Sequence, residues 1–176
     1  MIARIRGVED ADFAAIADLT NEYIRKTAIH FSYEPVTDAE LRDLWWPKRD
    51  RYPFLVATDE RGEFLGYAKA GVWRERYAYR WIAEVGIYVM PFAQRGGVGR
   101  ALYGQLVDEC RERGLHSLVG GITLPNDASV RLHEAMGFVK VAHFARAGWK
   151  FGRWHDVGFW QLMLRDADEA PDEHSV

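Results

Sequence analysis

A chain of 176 residues is long enough to bury a core without disulfides or metals, and short enough to be one domain. With 48% hydrophobic and 28% charged residues it has the composition of an ordinary globular domain, and a net charge of −3 with no basic block argues against nucleic acid as a partner. The single cysteine, Cys110, excludes an internal disulfide and any multi-cysteine metal site, and no apolar run approaches the roughly 20 residues of a membrane span.

Residues 2–6 are expected to form a short strand on Ile2 and Ile5. Asp10 precedes a helical pattern with Phe13, Ile16, Ala17, Thr20, Tyr23 and Ile24 on one face. The β-branched and aromatic segment TAIHFSYEPVT follows as a loop. Thr37 and Glu40 make a capping box that opens a second helix, with Leu41, Leu44 and Trp45 inward and Pro47 ending or bending it. Residues 53–58 and 64–73 read as a hairpin about the turn DERGE, and 74–80 (RERYAYR) as a charged, aromatic loop.

The strand from Trp81 to Val89 comes next, then a glycine-rich turn and a helix starting near Gly97. That helix turns Ala101, Leu102, Leu106 and Val107 inward and stops at Gly114. Residues 116–123 form another strand, and Pro125 and Asn126 open a short helix closed by Gly137. Residues 138–144 and 155–164 give two late strands about the turn KFGRW. The expected order, β-α-α-β-β-β-α-β-α-β-β, is that of an α/β domain, a mixed sheet flanked by helices, over residues 1–165. Residues 166–176 form an acidic tail expected to be flexible.

Two features can carry chemistry. The turn Gln94-Arg95-Gly96-Gly97-Val98-Gly99-Arg100 sets glycines and two cations at a helix start, where backbone N–H groups and the helix dipole favour an anion. It lacks the Gly-Lys-Ser/Thr of a Walker loop and the spacing of a dinucleotide fingerprint, and a glycine-rich helix start without a ligand fits the same residues. In the strand before it, Glu84 shares a face with Gly86, while Trp81, Ala83, Val85, Ile87 and Val89 make the opposite face apolar. A partly desolvated carboxylate there can take a proton from an attacking amine, or simply pair with Arg80 or Arg76. His133 is either a proton carrier or filler between helix and sheet. Arg74, Arg76 and Tyr79 are either anion-binding or solubilising, and His30 and His155 lack neighbours at metal-ligand spacing.

The turn Q-R-G-G-V-G-R resembles the Q/R-x-x-G-x-G/A signature of the GNAT acetyltransferase superfamily, which cradles the pyrophosphate of acetyl-coenzyme A. The blocks R-Y-P-F-L-V-A, A-E-V-G-I-Y-V, L-P-N-D-A-S-V-R-L-H-E-A-M-G-F and K-F-G-R-W-H-D-V-G-F-W-Q-L resemble its phosphinothricin N-acetyltransferase branch, from about residue 4 to 164. The resemblance implies the GNAT fold, a central mixed and mostly antiparallel sheet, with acetyl-coenzyme A as co-substrate and no metal. It implies coenzyme binding by Ile87, Tyr88, Val89, Arg95, Gly96, Gly97, Val98, Gly99, Arg100 and Asn126. Glu84 would be the general base, and His133 would protonate the departing thiolate or relay the amine proton.

A small amino-acid-like amine of the phosphinothricin or methionine sulfoximine type would meet Phe31, Arg74, Glu75, Arg76, Tyr79, Glu84, Val85 and Gly86. A protein amine as acceptor, or a non-catalytic acyl-coenzyme A binder, are the alternatives. The branch further implies a homodimer, with Phe159, Trp160 and Leu162 expected to cover a sheet edge. A cytoplasmic setting fits the lone cysteine and an N-terminus, MIARIR, without a signal peptide's apolar centre.

Overall fold

The computed structural model describes residues 3–166 and Ala170. Met1, Ile2 and the rest of the acidic tail lie outside the described residues. Strand β1 (Arg4–Gly7) is followed by helices α1 (Phe13–Lys26) and α2 (Asp38–Trp45), then strands β2 (Phe54–Thr58), β3 (Phe64–Val72) and β4 (Ile82–Val89). Helix α3 (Val98–Glu112), strand β5 (Ser117–Leu124), helix α4 (Asp127–Ala135) and strands β6 (Val139–Lys150) and β7 (Arg153–Met163) complete the expected order. All seven strands join one sheet in the order β1-β2-β3-β4-β5-β7-β6, and every neighbouring pair is antiparallel except β4 with β5.

The local signals act as their chemistry dictates. Thr37 Oγ1 accepts from the Glu40 N–H, and the Glu40 carboxylate accepts from the Thr37 N–H at 2.7 Å, so the capping box is complete. Asn126 caps α4 through the Ser129 N–H. Period-two alternation divides the sheet's side chains between two cores. Ala83, Val85, Leu118 and Ile122 face α3 with Leu102, Leu106 and Cys110, whereas Phe54, Val56 and Tyr67 face α1 and α2 with Phe13 and Ile16.

Four expectations are corrected. Leu44 is exposed, because Trp45 on the other flank of Leu41 takes the space against Phe13 and Phe54. Ala101 is exposed too, lying about 100° around α3 from the Leu102–Leu106 stripe. The last two strands are longer than expected, meeting at a two-residue turn in which Phe151 and Gly152 both have positive φ, 51° and 72°. Trp160 covers no edge. It is 2% exposed in the core facing α3, and Leu162 packs against the same core. The edge strand beside β7 is β6.

Candidate active site

Strands β4 and β5 pair only from Ile82↔Ser117 to Val85↔Gly120, although β4 continues to Val89 and β5 to Leu124. Beyond Val85 each strand stays bonded to its outer neighbour, β4 to β3 as far as Val89↔Gly66 and β5 to β7 as far as Leu124↔Asp156. The sheet therefore parts into a wedge, and the β5-facing main-chain groups of Gly86–Val89 have no strand to bond. The Val89 carbonyl accepts instead from the Tyr23 hydroxyl at 3.0 Å and from Gln94 Nε2 at 3.3 Å.

A cleft of about 720 Å³ runs through this wedge, a size suited to a cofactor arm. Its walls include Ile87 and Val89, the α3 entry with Gln94, Arg95, Gly97, Gly99 and Arg100, and the α4 entry with Asn126, Ser129 and Leu132. Gly97 sits at the α3 N-cap with φ 85°, a left-handed conformation, and provides no capping side chain. The first N–H groups of α3 are thus left for a ligand, at the positive end of a 15-residue helix. A Cβ at Gly99 would touch Leu132 at 3.4 Å and Ile87 at 3.7 Å, so glycine there lets α3 close on α4 and β4. With two arginines alongside, the residues present fit the pyrophosphate of a coenzyme. Tyr88 turns its ring to the other face, 5.1 Å from both Tyr23 and Tyr67, which leaves only its main chain for the wedge. A smaller depression near Trp46 and Pro47 contains Arg42, already bonded to Asp10 at 3.1 Å.

Glu84 lies where the wedge begins, opposite Gly71 on β3 and beside Val119 on β5. Its side chain reaches solvent, yet desolvation by the surrounding strands raises its carboxyl above the ordinary glutamate range, against the opposing pull of Lys69 and Arg74. No salt bridge closes on it among the described residues. Arg80 is held elsewhere, stacked on Tyr77 at 3.6 Å and Trp81 at 3.5 Å. Gly121 keeps the space next to the carboxylate open, since a Cβ there would stand 3.6 Å from Glu84 Oε1.

Around that space the structure brings Trp73, Phe144 and Phe159 together, with centroids 5.5 Å (Trp73–Phe159) and 5.6 Å (Phe144–Phe159) apart. Arg74 lies over Trp73 at 5.1 Å. Glu75, Arg76 and Tyr79 are exposed on the following loop, and Val85 is buried toward α3 with only its main chain near Glu84. Phe31 enters from the α1–α2 connection and packs on Gly148, where any Cβ would run into its ring. That connection is fastened to the β6–β7 hairpin. Lys150 Nζ donates to the carbonyls of Ile24 and His30, both at 2.6 Å, and the Tyr33 hydroxyl donates to the Trp149 carbonyl. Residue patterns gave no sign of Lys69 or Phe159 as site residues, because the sheet register alone brings them to Glu84.

His133 and Glu84 are not brought together. Gly120 faces His133 and Gly121 faces Glu84, and successive residues of a strand point to opposite faces. His133 is 3% exposed against the Tyr103 and Phe138 rings. Its Nδ1–H donates to the Ser129 carbonyl at 2.8 Å, so Nε2 accepts from the Tyr103 hydroxyl at 2.7 Å. Burial lowers its pKa, favouring the neutral ring.

A split sheet with an uncapped, glycine-led helix start on one side and a carboxylate at the split is the arrangement expected of a coenzyme-dependent transferase. Residues 15–138 match the Acetyltransferase (GNAT) family, and the chain belongs to it. It is 46% identical to a phosphinothricin N-acetyltransferase of Streptomyces viridochromogenes, over 89% of this chain and 85% of that one. It is 41% identical to an L-methionine sulfoximine/L-methionine sulfone acetyltransferase of Salmonella typhimurium, over 96% and 98%. Among solved structures, a GNAT superfamily phosphinothricin acetyltransferase from Sinorhizobium meliloti in complex with AcCoA superposes with a TM-score of 0.94 at 33% identity, covering 99% of this chain and 95% of that one. Among the described residues there is no group of three metal-ligating side chains, and no helix is long and apolar enough to cross a membrane.

Proposed function

We propose that this acetyltransferase moves the acetyl group of acetyl-coenzyme A to the α-amine of a small amino-acid analogue of the phosphinothricin or methionine sulfoximine type, with Glu84 as general base. The observation that carries this reading is the Glu84 carboxyl, set at the closed end of the wedge beside the open space at Gly121, raised by desolvation and flanked by the charges of Lys69 and Arg74. The coenzyme supplies an acetyl thioester. Arg95 to Arg100 and the α3 N-terminus hold its phosphates, the main chain of Ile87–Val89 aligns its arm, and Asn126 meets the arm from the α4 entry.

An amine attacks a thioester only when neutral, so Glu84 would take its proton directly or through one water; as the C–N bond forms the C–S bond breaks, and coenzyme A would leave as a thiolate protonated from solvent. Phe31, Trp73 and Phe159 wall the acceptor, and Arg74 supplies charge for its anionic group. Arg76 and Tyr79, with Glu75, border the acceptor from the exposed loop. His133, neutral and bonded at both nitrogens, ties α4 to α3 rather than moving protons. The buried, reduced Cys110 suits the cytoplasm.

The test is turnover of acetyl-coenzyme A over a panel of free amino-acid analogues and short peptides, with the unaltered chain and Glu84→Gln. Removing a positioned base should lower kcat about 10²–10⁴-fold on an accepted amino-acid analogue. Unchanged kcat in Glu84→Gln removes the base assignment, and turnover of peptides without free amino acids removes the acceptor assignment.

A further inference from the structure

The chain has two lysines folded into its interior, and they are treated differently. Lys150 is 3% exposed and its ammonium donates to two main-chain carbonyls. Lys69, in β3, is only partly exposed, and among the described residues its Nζ makes neither a hydrogen bond nor an ion pair. Near it lie the Phe54 ring, 6.0 Å from Nζ, His30, whose pKa is lowered by burial and then by the charge of Lys69, and the Glu84 carboxylate. Its ammonium is only partly withdrawn from water and has no acceptor among the described protein groups, so its donors are left for a ligand's anionic group.

The register says where that ligand would stand. Lys69 is opposite Gly86, and Gly71 is opposite Glu84, so Lys69 and Glu84 are diagonal neighbours on one face of the sheet. Gly86 places no side chain between them. Glu84 and Lys69 act on each other electrostatically but close no salt bridge. Arg74 acts on Glu84 from the other direction along β3, five residues beyond Lys69. A carboxylate with one cation on each side is matched by an acceptor whose amine lies between two anionic groups.

We propose that Lys69 is a specificity-determining residue that binds a second anionic group on the acceptor, so that the site prefers amino acids with an acidic side chain (a phosphinate or a carboxylate) over neutral isosteres. Arg74 then takes the α-carboxylate while the amine stands at Glu84. This rests on the acceptor reading above and adds the charge of the acceptor's side chain to it.

The experiment compares kcat/KM for phosphinothricin, whose side chain ends in a phosphinate, with that for methionine sulfone, whose side chain is neutral, in the unaltered chain, Lys69→Met and Lys69→Arg. The unaltered chain should favour phosphinothricin. A charge-assisted contact is worth about ten- to a hundredfold, so Lys69→Met should lower the phosphinothricin to sulfone ratio by that factor and Lys69→Arg should restore most of it. Coenzyme affinity by calorimetry reports whether Lys69→Met has kept its fold; if it has not, the Lys69→Gln ratio decides. An equal fall on both acceptors, or an unmoved ratio, overturns the inference and leaves the acceptor reading standing. No turnover of either compound by the unaltered chain overturns both.

Discussion

At the scale of single residues, Glu84 has a cost as well as a use. Its carboxyl titrates above the ordinary glutamate range in the folded chain, so folding binds that proton more tightly than the unfolded chain does. The stability it contributes is full below the unfolded pKa of about 4.3 and is lost as pH rises through the raised folded value. Glu84→Gln should therefore unfold at a higher temperature than the unaltered chain at neutral pH, with the gap closing in acid. Calorimetric scans across pH check this, and a Gln variant that is less stable at pH 7 contradicts it. The same carboxyl should set an acid limb in kcat/KM that lies above the usual carboxylate range and is absent from Glu84→Gln. Glu84 was legible in the sequence as the one acid in an otherwise apolar strand. Lys69 was not, because a lysine in a strand looks like any solvated side chain until the register sets it opposite Gly86.

At the scale of elements, α3 and α4 both aim their N-termini at the wedge, and the contact between them involves a polar pair inside the core. The Tyr103 hydroxyl and His133 Nε2 satisfy one another, and Gly120 leaves them room on β5. Tyr103→Phe removes the donor and leaves a buried ring nitrogen unpaired, at a cost of about 1–3 kcal/mol. The urea midpoint should fall accordingly, while kcat of the folded variant stays within about threefold, since a positioning contact contributes little to the chemical step. A large fall in kcat with no loss of stability would return His133 to proton transfer. The Asn126 cap of α4 and the glycine stops at Gly114 and Gly137 are local, so they were readable in advance. The length of the last hairpin was not, since Ala145–Trp149 carries no regular alternation and continues β6 only across a register shift between Phe144 and Gly148.

At the scale of the whole molecule, the sheet is closed at neither end, and β6 is an edge strand with a largely apolar exposed surface. Val139, Val141, Phe144 and Trp149 are each about half exposed or more, as are Phe151 and Trp154 at the hairpin tip. An uncovered edge of this kind invites a partner strand or sheet. A second copy of the chain docking along β6 is the expected arrangement, replacing the Phe159–Leu162 surface that the sequence suggested. Sedimentation should show about twice the 20.2 kDa chain mass, and Val139→Glu combined with Val141→Glu should shift it to the single-chain value. A monomer before substitution excludes the dimer.

The sequence by itself determined the element order, the glycine-led α3 start, the capped helix ends and the acid in β4, because each depends on residues within a few positions of one another. The tertiary structure decided where β4 and β5 part. It also decided which aromatic rings and cations surround Glu84, and that His133 lies on the far face. Those outcomes depend on register between strands far apart in the chain, where a shift of one residue exchanges the two faces of the sheet. No local pattern encodes that choice; the packing of both faces against their helices does.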